Sequence, residues 1–150
     1  MITLKKILCP IDHSECSYRA LQYAISLALK DEAKLYLMHV VDSRPYDTEI
    51  YKFSSFKAEN IDMQKIHADL IKSLPEGTTD VLEVETIAVS GIPFHEIINA
   101  ATEINVDLIV IGTHGRTGLS HVMLGSVAEK VVRKAPCPVL TVRIPTPGTG

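Results

Sequence analysis

The sequence has few cysteines, no excess of positive charge and no long apolar run, and each absence excludes a class of protein. Three cysteines in 150 residues, without a Cys-x-x-Cys pair, argue against a disulfide framework and a structural zinc site. A net charge of −3 provides no general attraction to nucleic acid or to an anionic membrane. No apolar run approaches the roughly 20 residues that span a bilayer. The first residues lead directly into a strand pattern without a signal-peptide segment. We therefore expect a cytoplasmic protein that binds neither nucleic acid nor membrane.

Three familiar catalytic signatures are also missing. No Gly-Lys-Ser/Thr follows a glycine at Walker A spacing, and the Gly-x-Gly-x-x-Gly of dinucleotide-binding folds is absent after the first strand pattern. There is no Gly-x-Ser-x-Gly nucleophile elbow. These absences leave no recognisable enzyme motif.

What the sequence does contain is an alternation of five strand patterns with four helical patterns. The strands are expected at residues 5–11, 34–41, 81–89, 106–111 and 139–144, and the helices at about 14–29, 48–74, 93–104 and 125–135. The alternation predicts one α/β domain over residues 1–145, a three-layer sandwich with a parallel five-stranded sheet between helices. Residues 146–150 are expected to form a disordered tail.

Charge patterns and cysteines refine this architecture. Glu83 and Glu85 share one side of the third strand pattern, which favours a half-exposed strand at a sheet edge. Ser14 is suited to cap the first helix. Cys9 and Cys137 adjoin apolar strand patterns, so we expect both to pack in the core.

The most informative stretch runs from Ile109 to Val127, where a strand pattern, a glycine-rich loop and a helix start follow one another. Glycine permits positive φ and close backbone approach, and a helix N-terminus adds unpaired N–H donors and a positive dipole end. Ligands of open parallel sheets bind beyond the carboxyl ends of the strands. The stretch therefore favours a phosphate cradle, with an ordinary glycine-rich turn and helix cap as the alternative.

The chain resembles the ATP-binding subclass of the universal stress protein family. The family signature Gly-x-x-Gly-x9-Gly-Ser/Thr is matched without a gap by Gly112, Gly115, Gly125 and Ser126. Similar segments span nearly the whole chain, at Lys6–Asp12, Met38–Asp42, Gly91–Pro93 and Pro136–Leu140. The resemblance implies a Rossmann-like fold of the adenine nucleotide alpha hydrolase type with sheet order 3-2-1-4-5. It also implies a homodimer through the fifth strand, Val139–Ile144, which as an apolar edge invites pairing.

The resemblance further implies a site for ATP, ADP or AMP with Mg²⁺. Asp12 would lie near the ribose or a metal-bound phosphate, and the backbone of Val40 would border adenine. The glycines and Ser126 would face the phosphates. The full set of implied nucleotide contacts is Pro10, Ile11, Asp12, Val40, Ile111, Gly112, Gly115, Gly125, Ser126 and Val127.

Three functions remain open on the sequence. A nucleotide-dependent regulator, contacting a protein partner, is favoured because no catalytic base accompanies the cradle, so hydrolysis should be slower than about one turnover per second. An ATP pyrophosphatase or adenylate-forming enzyme is the alternative, although residues 10–14 lack the Ser-Gly-Gly-type loop expected there. A third possibility is a module that acts only through protein contacts.

Several residues receive no assigned function. His13 is expected to be a lone, exposed turn histidine, and His114, Arg116 and His121 occupy variable positions of the signature. Within the 42–60 segment the aromatic residues either form a lid over the site or pack on the sheet; they are Tyr46, Tyr51, Phe53 and Phe56.

Overall fold

The computed structural model describes residues 1–44, 61–114 and 124–145, and within them five parallel strands form one sheet. The strands are β1 (Lys6–Pro10), β2 (Lys34–Asp42), β3 (Val84–Gly91), β4 (Leu108–Gly112) and β5 (Val139–Val142). Their order is β3-β2-β1-β4-β5, which confirms the expected topology and places the half-exposed β3 at an edge. The winding direction reverses between β1 and β4, and in open α/β sheets that is the point where ligands bind.

Helices cover both faces of this sheet. They are α1 (Glu15–Asp31), α2 (Met63–Lys72), α3 (Thr78–Val81), α4 (Pro93–Ile104) and α5 (Ser126–Lys134). One apolar cluster joins α1 and α2 to the first face, and a second joins α4 and α5 to the other. The three-layer α/β sandwich expected from the sequence is therefore confirmed.

Alternating side chains of the central strands supply the two cores. On β2, Leu35 and Leu37 point toward α1 and α2, whereas Tyr36 and Met38 point toward α4 and α5. All four side chains are buried. Because both faces of the strand are covered, its apolar run is continuous rather than alternating.

The predicted cap and cysteine positions are confirmed. Ser14 Oγ accepts a hydrogen bond of 3.2 Å from the backbone N–H of Ser17, which satisfies one of the donors at the start of α1. Cys9 is fully buried in the core, and this burial raises the pKa of its thiol, so the thiol remains protonated. Cys137 packs against the α4–α5 cluster and Cys16 is buried, and none of the three forms a disulfide.

Several element boundaries differ from expectation, since β4 begins at Leu108 rather than at residue 106 and β5 ends at Val142 rather than at residue 144. The third strand begins at Val84 rather than at residue 81, because residues 78–81 form the short helix α3 behind Gly77, whose φ is 85°. The prediction of one continuous helix over 48–74 is wrong, because the helix begins at Met63: Asp62 is its N-cap in extended conformation, and the Asp62 side chain accepts a hydrogen bond from the Lys65 N–H. Residues 48–60 of that predicted helix, the four aromatic residues of the 42–60 segment and the 146–150 tail lie outside the described residues.

A search of the described residues finds no helix long and apolar enough to cross a membrane.

The amino end of β1 is tied to the α4–β4 turn by one carboxylate. Asp107 Oδ2 accepts hydrogen bonds from the backbone N–H groups of Lys5 at 2.8 Å and of Lys6 at 2.9 Å. We expect Asp107→Ala to lower the free energy of unfolding by about 1–2 kcal/mol, since two backbone donors lose a charged acceptor. Asp107→Asn retains one acceptor oxygen and should lose less. Urea denaturation of the two variants checks the order, and equal losses would contradict this role for the carboxylate.

Candidate functional site

The carboxyl ends of β1, β2 and β4 meet at one edge of the sheet. Pro10 is aligned with Met38 of β2, and the N–H of Ile11 donates to the Met38 carbonyl at 2.7 Å. On the other side of β1, Leu8 is aligned with Ile109, so the register carried three residues further brings Ile11 level with Gly112. The structure thus brings Ile11, Asp12, Val40, Ile111 and Gly112 to the same edge of the sheet, and their contact with a nucleotide stays a prediction.

The loop after β4 is closed by two backbone hydrogen bonds of Thr113. Its N–H donates to the carbonyl of Val142 at 2.9 Å, and its carbonyl accepts from the N–H of Gly125 at 2.6 Å. Residues twelve apart in sequence are therefore in direct contact, and α5 begins beside the end of β4. Of the four signature residues, Gly112, Gly125 and Ser126 share this junction, while Gly115 lies outside the described residues.

The start of α5 is suited to an anion. Gly125 is the N-cap, in extended conformation with φ −60° and ψ 156°, and it has no side chain with which to cap the helix. Ser126 is the first helical residue and is exposed, whereas Ala128 and Val131 anchor the helix in the core. The N–H groups of a first helical turn have no partner within the helix and carry the positive end of its dipole. An anion at this position would accept hydrogen bonds from these N–H groups and would be attracted by the positive end of the dipole.

The structure explains the glycine at position 112 differently from the sequence, which suggested a positive φ and the close approach of an anionic ligand. Among the described glycines only Gly77 has a positive φ, so neither Gly112 nor Gly125 uses glycine's left-handed freedom. A Cβ on Gly112 would lie 2.8 Å from the carbonyl carbon of Cys16 and 2.9 Å from its oxygen. Such separations are shorter than any real Cβ contact, so this glycine lets the first turn of α1 pack directly on β4. Its implied contact with phosphate stays a prediction.

Asp12 turns the chain out of β1. Its Oδ1 accepts a hydrogen bond of 2.9 Å from the N–H of Ser14, which leaves Oδ2 for other partners. Within the described part of the chain, no group of three or more His, Cys, Asp or Glu side chains is placed to hold a metal ion. Mg²⁺ in proteins is commonly held by one or two carboxylates together with phosphates and water. Asp12 therefore fits a Mg²⁺ ion only if a bound phosphate shares it.

An apolar surface lies beside the junction on the α4–α5 side. Val40 and Val89 are paired across β2 and β3, and both pack against the same cluster as Ile111. Val127, in the first turn of α5, and Phe94, in the first turn of α4, belong to this cluster too. A planar base could lie here with its sugar toward Asp12 and its phosphates toward Ser126.

On the opposite face, two histidines lie close together at the same edge, contrary to the expectation that His13 is a lone turn residue. His13 has φ 65°, and its Nδ1 is 2.8 Å from the hydroxyl of Tyr18. Its ring centroid is 5.0 Å from that of His39, whose Nδ1 lies 2.7 Å from the carbonyl oxygen of Ile11. Because a carbonyl only accepts, Nδ1 of His39 carries a proton. His39 was missed from the sequence, although a polar residue inside an apolar strand was a visible signal.

A cleft of about 530 Å³ opens on this α1–α2 side. The described residues that line it are His13, Tyr18, Asp69, Lys72 and Ser73. It lies across the sheet from the apolar surface around Val40, so it is not the place where the implied base contacts converge.

Of the three variable signature positions named from the sequence, the structure describes only His114. The Nδ1 atom of His114 is 3.0 Å from the Thr113 hydroxyl, which in turn lies 3.9 Å from Cys16 Sγ. Thr113 is almost fully buried, so its hydroxyl belongs to the α1–β4 contact. Arg116 and His121 lie outside the described residues.

The sheet order and the helix start at its carboxyl edge define an open α/β protein with a crevice between β1 and β4. The sequence model of the universal stress protein family matches residues 3–143, and the chain belongs to that family. A curated relative, universal stress protein MJ0531 of Methanocaldococcus jannaschii, is 34% identical over 142 residues, covering 94% of this chain and 83% of the relative.

Solved structures share the architecture. The structure of protein MJ0577, also from Methanocaldococcus jannaschii, matches with a TM-score of 0.79 and 33% identity, covering 97% of this chain and 99% of that one. A universal stress protein in complex with cAMP matches with a TM-score of 0.66, covering 95% of this chain and 98% of that one. Another, from Archaeoglobus fulgidus in complex with dAMP, matches with a TM-score of 0.56, covering 95% and 99%. At 24% identity each, the last two show the shared fold alone.

The packing role of Gly112 can be separated from a conformational one. We expect Gly112→Ala to lower the free energy of unfolding by about 2 kcal/mol, because its Cβ meets the backbone of α1 rather than a side chain that can move aside. Gly77→Ala is the matched control: nothing lies within 4 Å of its Cβ, and its cost of about 1 kcal/mol comes from the positive φ.

Urea denaturation gives both free energies, and thiol labelling tells them apart. If α1 is pushed from β4, the buried Cys16 thiol should react faster in Gly112→Ala but not in Gly77→Ala. Unchanged stability and labelling in Gly112→Ala would refute the packing role.

Proposed function

We propose that this universal stress protein binds ATP and acts in the cytoplasm as a nucleotide-dependent regulator with at most slow hydrolysis. The observation that carries the proposal is the hydrogen bond between Gly125 and Thr113, which brings the start of α5 to the carboxyl end of β4. The N–H groups of the first turn of α5, its positive dipole end and the exposed Ser126 thereby lie beside the end of β4. This is the arrangement that a phosphate group requires.

The arrangement of the edge suggests how the nucleotide lies. Adenine would contact the apolar surface of Val40 and Ile111, and the backbone at Val40 would read the base edge. The ribose, or a Mg²⁺ ion held by the phosphates, would meet the free oxygen of Asp12. The phosphates would lie at Gly125, Ser126 and Val127. Two other proteins of this fold are known in complex with cAMP and dAMP, which supports an adenine nucleotide as the class of ligand.

A regulatory function is favoured over catalysis by what surrounds the candidate nucleophile. Ser14, the serine beside Asp12, uses its Oγ to accept the Ser17 N–H, as a helix cap does. A nucleophilic serine would instead require a base within hydrogen-bonding distance. The slow step of such a protein is expected to be nucleotide exchange or contact with a partner. A phosphate-release rate above about one per second would instead support the enzyme alternative.

The direct test is calorimetric titration of nucleotide-free protein with Mg-ATP and with Mg-GTP. We expect micromolar ATP binding, with GTP weaker because the backbone at Val40 is matched to adenine. Ser126→Ala should weaken ATP about tenfold, since a hydroxyl contact to a charged phosphate is lost. Thr102→Ala is the control, because its hydroxyl only bonds within α4, to the Ile98 carbonyl at 2.8 Å.

The outcomes separate the candidate functions. Tight ATP binding that Ser126→Ala weakens and Thr102→Ala does not would support the proposed cradle. No binding by folded wild-type protein would refute ATP binding and favour the module that acts through protein contacts. Binding that both variants leave unchanged would place the phosphates elsewhere.

We further propose a homodimer formed by antiparallel pairing of the fifth strands over 139–144. The carbonyls of Pro138 and Val142 accept hydrogen bonds from β4 and from Thr113, so the backbone groups of the intervening Thr141 point to the open edge. Thr141→Pro should abolish dimerisation while the strand stays folded, since proline on an outward N–H is tolerated at an edge. Light scattering should give about twice the 16.5 kDa chain mass for wild type and the single mass for Thr141→Pro. A monomeric wild type at micromolar concentration would refute the dimer.

A further inference from the structure

Two lysines of α5 converge on one aromatic ring of α4. The Nζ atom of Lys130 lies 4.7 Å from the centroid of the Phe94 ring, and that of Lys134 lies 5.6 Å from it. Both distances are within the range of a cation–π contact. The lysines are one helical turn apart, so both side chains reach the ring from the same face of α5.

The position of Phe94 locates the two ammonium groups. Phe94 is the second residue of α4, whose first turn lies at the carboxyl edge of the sheet. Long helical side chains lean toward the N-terminus of their own helix. Lys130 and Lys134 therefore lean toward the start of α5 at Gly125 and Ser126. Lys130, one turn after Ser126, is thereby directed toward the start of α5, whereas Lys134 lies in the last turn of that helix.

The ammonium of Lys130 adds a positive charge in the half of α5 where the helix dipole is already positive. A helix N-terminus carries the positive end of its dipole and favours acidic side chains. The acidic residues of the two first turns are otherwise engaged: Glu129 pairs with Arg133, and the Glu96 side chain packs over Gly91. Neither lysine forms an ion pair with any carboxylate of the described residues. No carboxylate of the described residues therefore neutralises Lys130, which lies on the Phe94 ring beside the apolar cluster that includes Val127.

We propose that Lys130 binds the outer phosphates of the nucleotide and so makes the site select a di- or triphosphate over a monophosphate. The inference rests on the proposed nucleotide binding and adds the determinant of phosphate number. In the free protein the ammonium rests on the Phe94 ring; with ligand it donates to a phosphate oxygen, a stronger charge-assisted contact. Lys134, one turn further from Ser126 and farther from the ring, contributes mainly long-range attraction.

The test compares three ligands and four variants. Affinities for ATP, AMP and adenosine are measured for wild type, Lys130→Met, Lys134→Met, Lys130→Arg and Lys30→Met. Methionine keeps the length of the side chain and its contact with Phe94 but removes the charge. Lys30 is the matched control because it is an exposed lysine in the last turn of α1, at the opposite edge of the sheet.

We expect Lys130→Met to weaken ATP about tenfold and to leave adenosine within about twofold, with AMP between them. Lys134→Met should have a smaller effect on ATP, Lys30→Met none, and Lys130→Arg should restore most of the affinity. The affinity of wild type for ATP should also fall more steeply with salt than that of Lys130→Met, because the variant lacks the charge pair between Lys130 and phosphate that salt would screen.

Each contrary result has its own meaning. If Lys130→Met leaves ATP binding unchanged, or weakens ATP and adenosine equally, the charge of Lys130 has no part in phosphate selection and the inference is overturned while the proposed function stands. If wild type binds ATP and AMP with equal affinity, the selectivity is refuted in the same way. If folded wild type binds no nucleotide, the proposed function and this inference fail together.

Discussion

The arrangement of the site depends on one backbone junction, where Thr113 donates to Val142 and accepts from Gly125. It holds the end of β4, the end of β5 and the start of α5 within single hydrogen bonds of each other. The start of α1 is fixed to the same place by the bare backbone of Gly112 against Cys16. With both contacts in place, β1 and β4 end at a crevice whose walls are helix N-termini. Removal of either contact would leave the sheet intact but separate the groups that an anion needs.

The chemistry of this edge follows from its electrostatics more than from any reactive side chain. Helices α4 and α5 both begin there, so their dipoles make this edge favourable to negative charge, and Lys130 lies one turn beyond the start of α5. The carboxylates nearby are either paired or, like Asp12, already partly engaged with the backbone. An environment of fixed backbone donors at a helix start favours bound negative charge.

Much of the fold could be predicted from the sequence because each buried strand is a continuous apolar run between breakers. The order of the sheet followed from the family resemblance and from the charged face of the third strand. The start of β3 was wrong because the helical turn at 78–81 is too short to leave a periodic pattern. The nucleotide contacts implied for the site stay predictions, and the packing around them was not visible in the sequence. The pairing of His39 with Ile11, and the approach of Cys16 to Gly112, arise from tertiary packing between segments distant in sequence.

Gly112 has a packing role in addition to its proposed contact with phosphate. This packing role limits what a glycine at this position says about the relatives of this protein. Because the approach of α1 to β4 requires a glycine there whatever the site contains, a chain that had lost every nucleotide contact would still retain it. Presence of the first signature glycine is therefore diagnostic of the architecture. Under the proposed function, information about the ligand resides instead in Gly125 and Ser126, which form the start of α5. Comparing family members at those two positions should separate relatives that share only the fold from relatives that also bind a nucleotide.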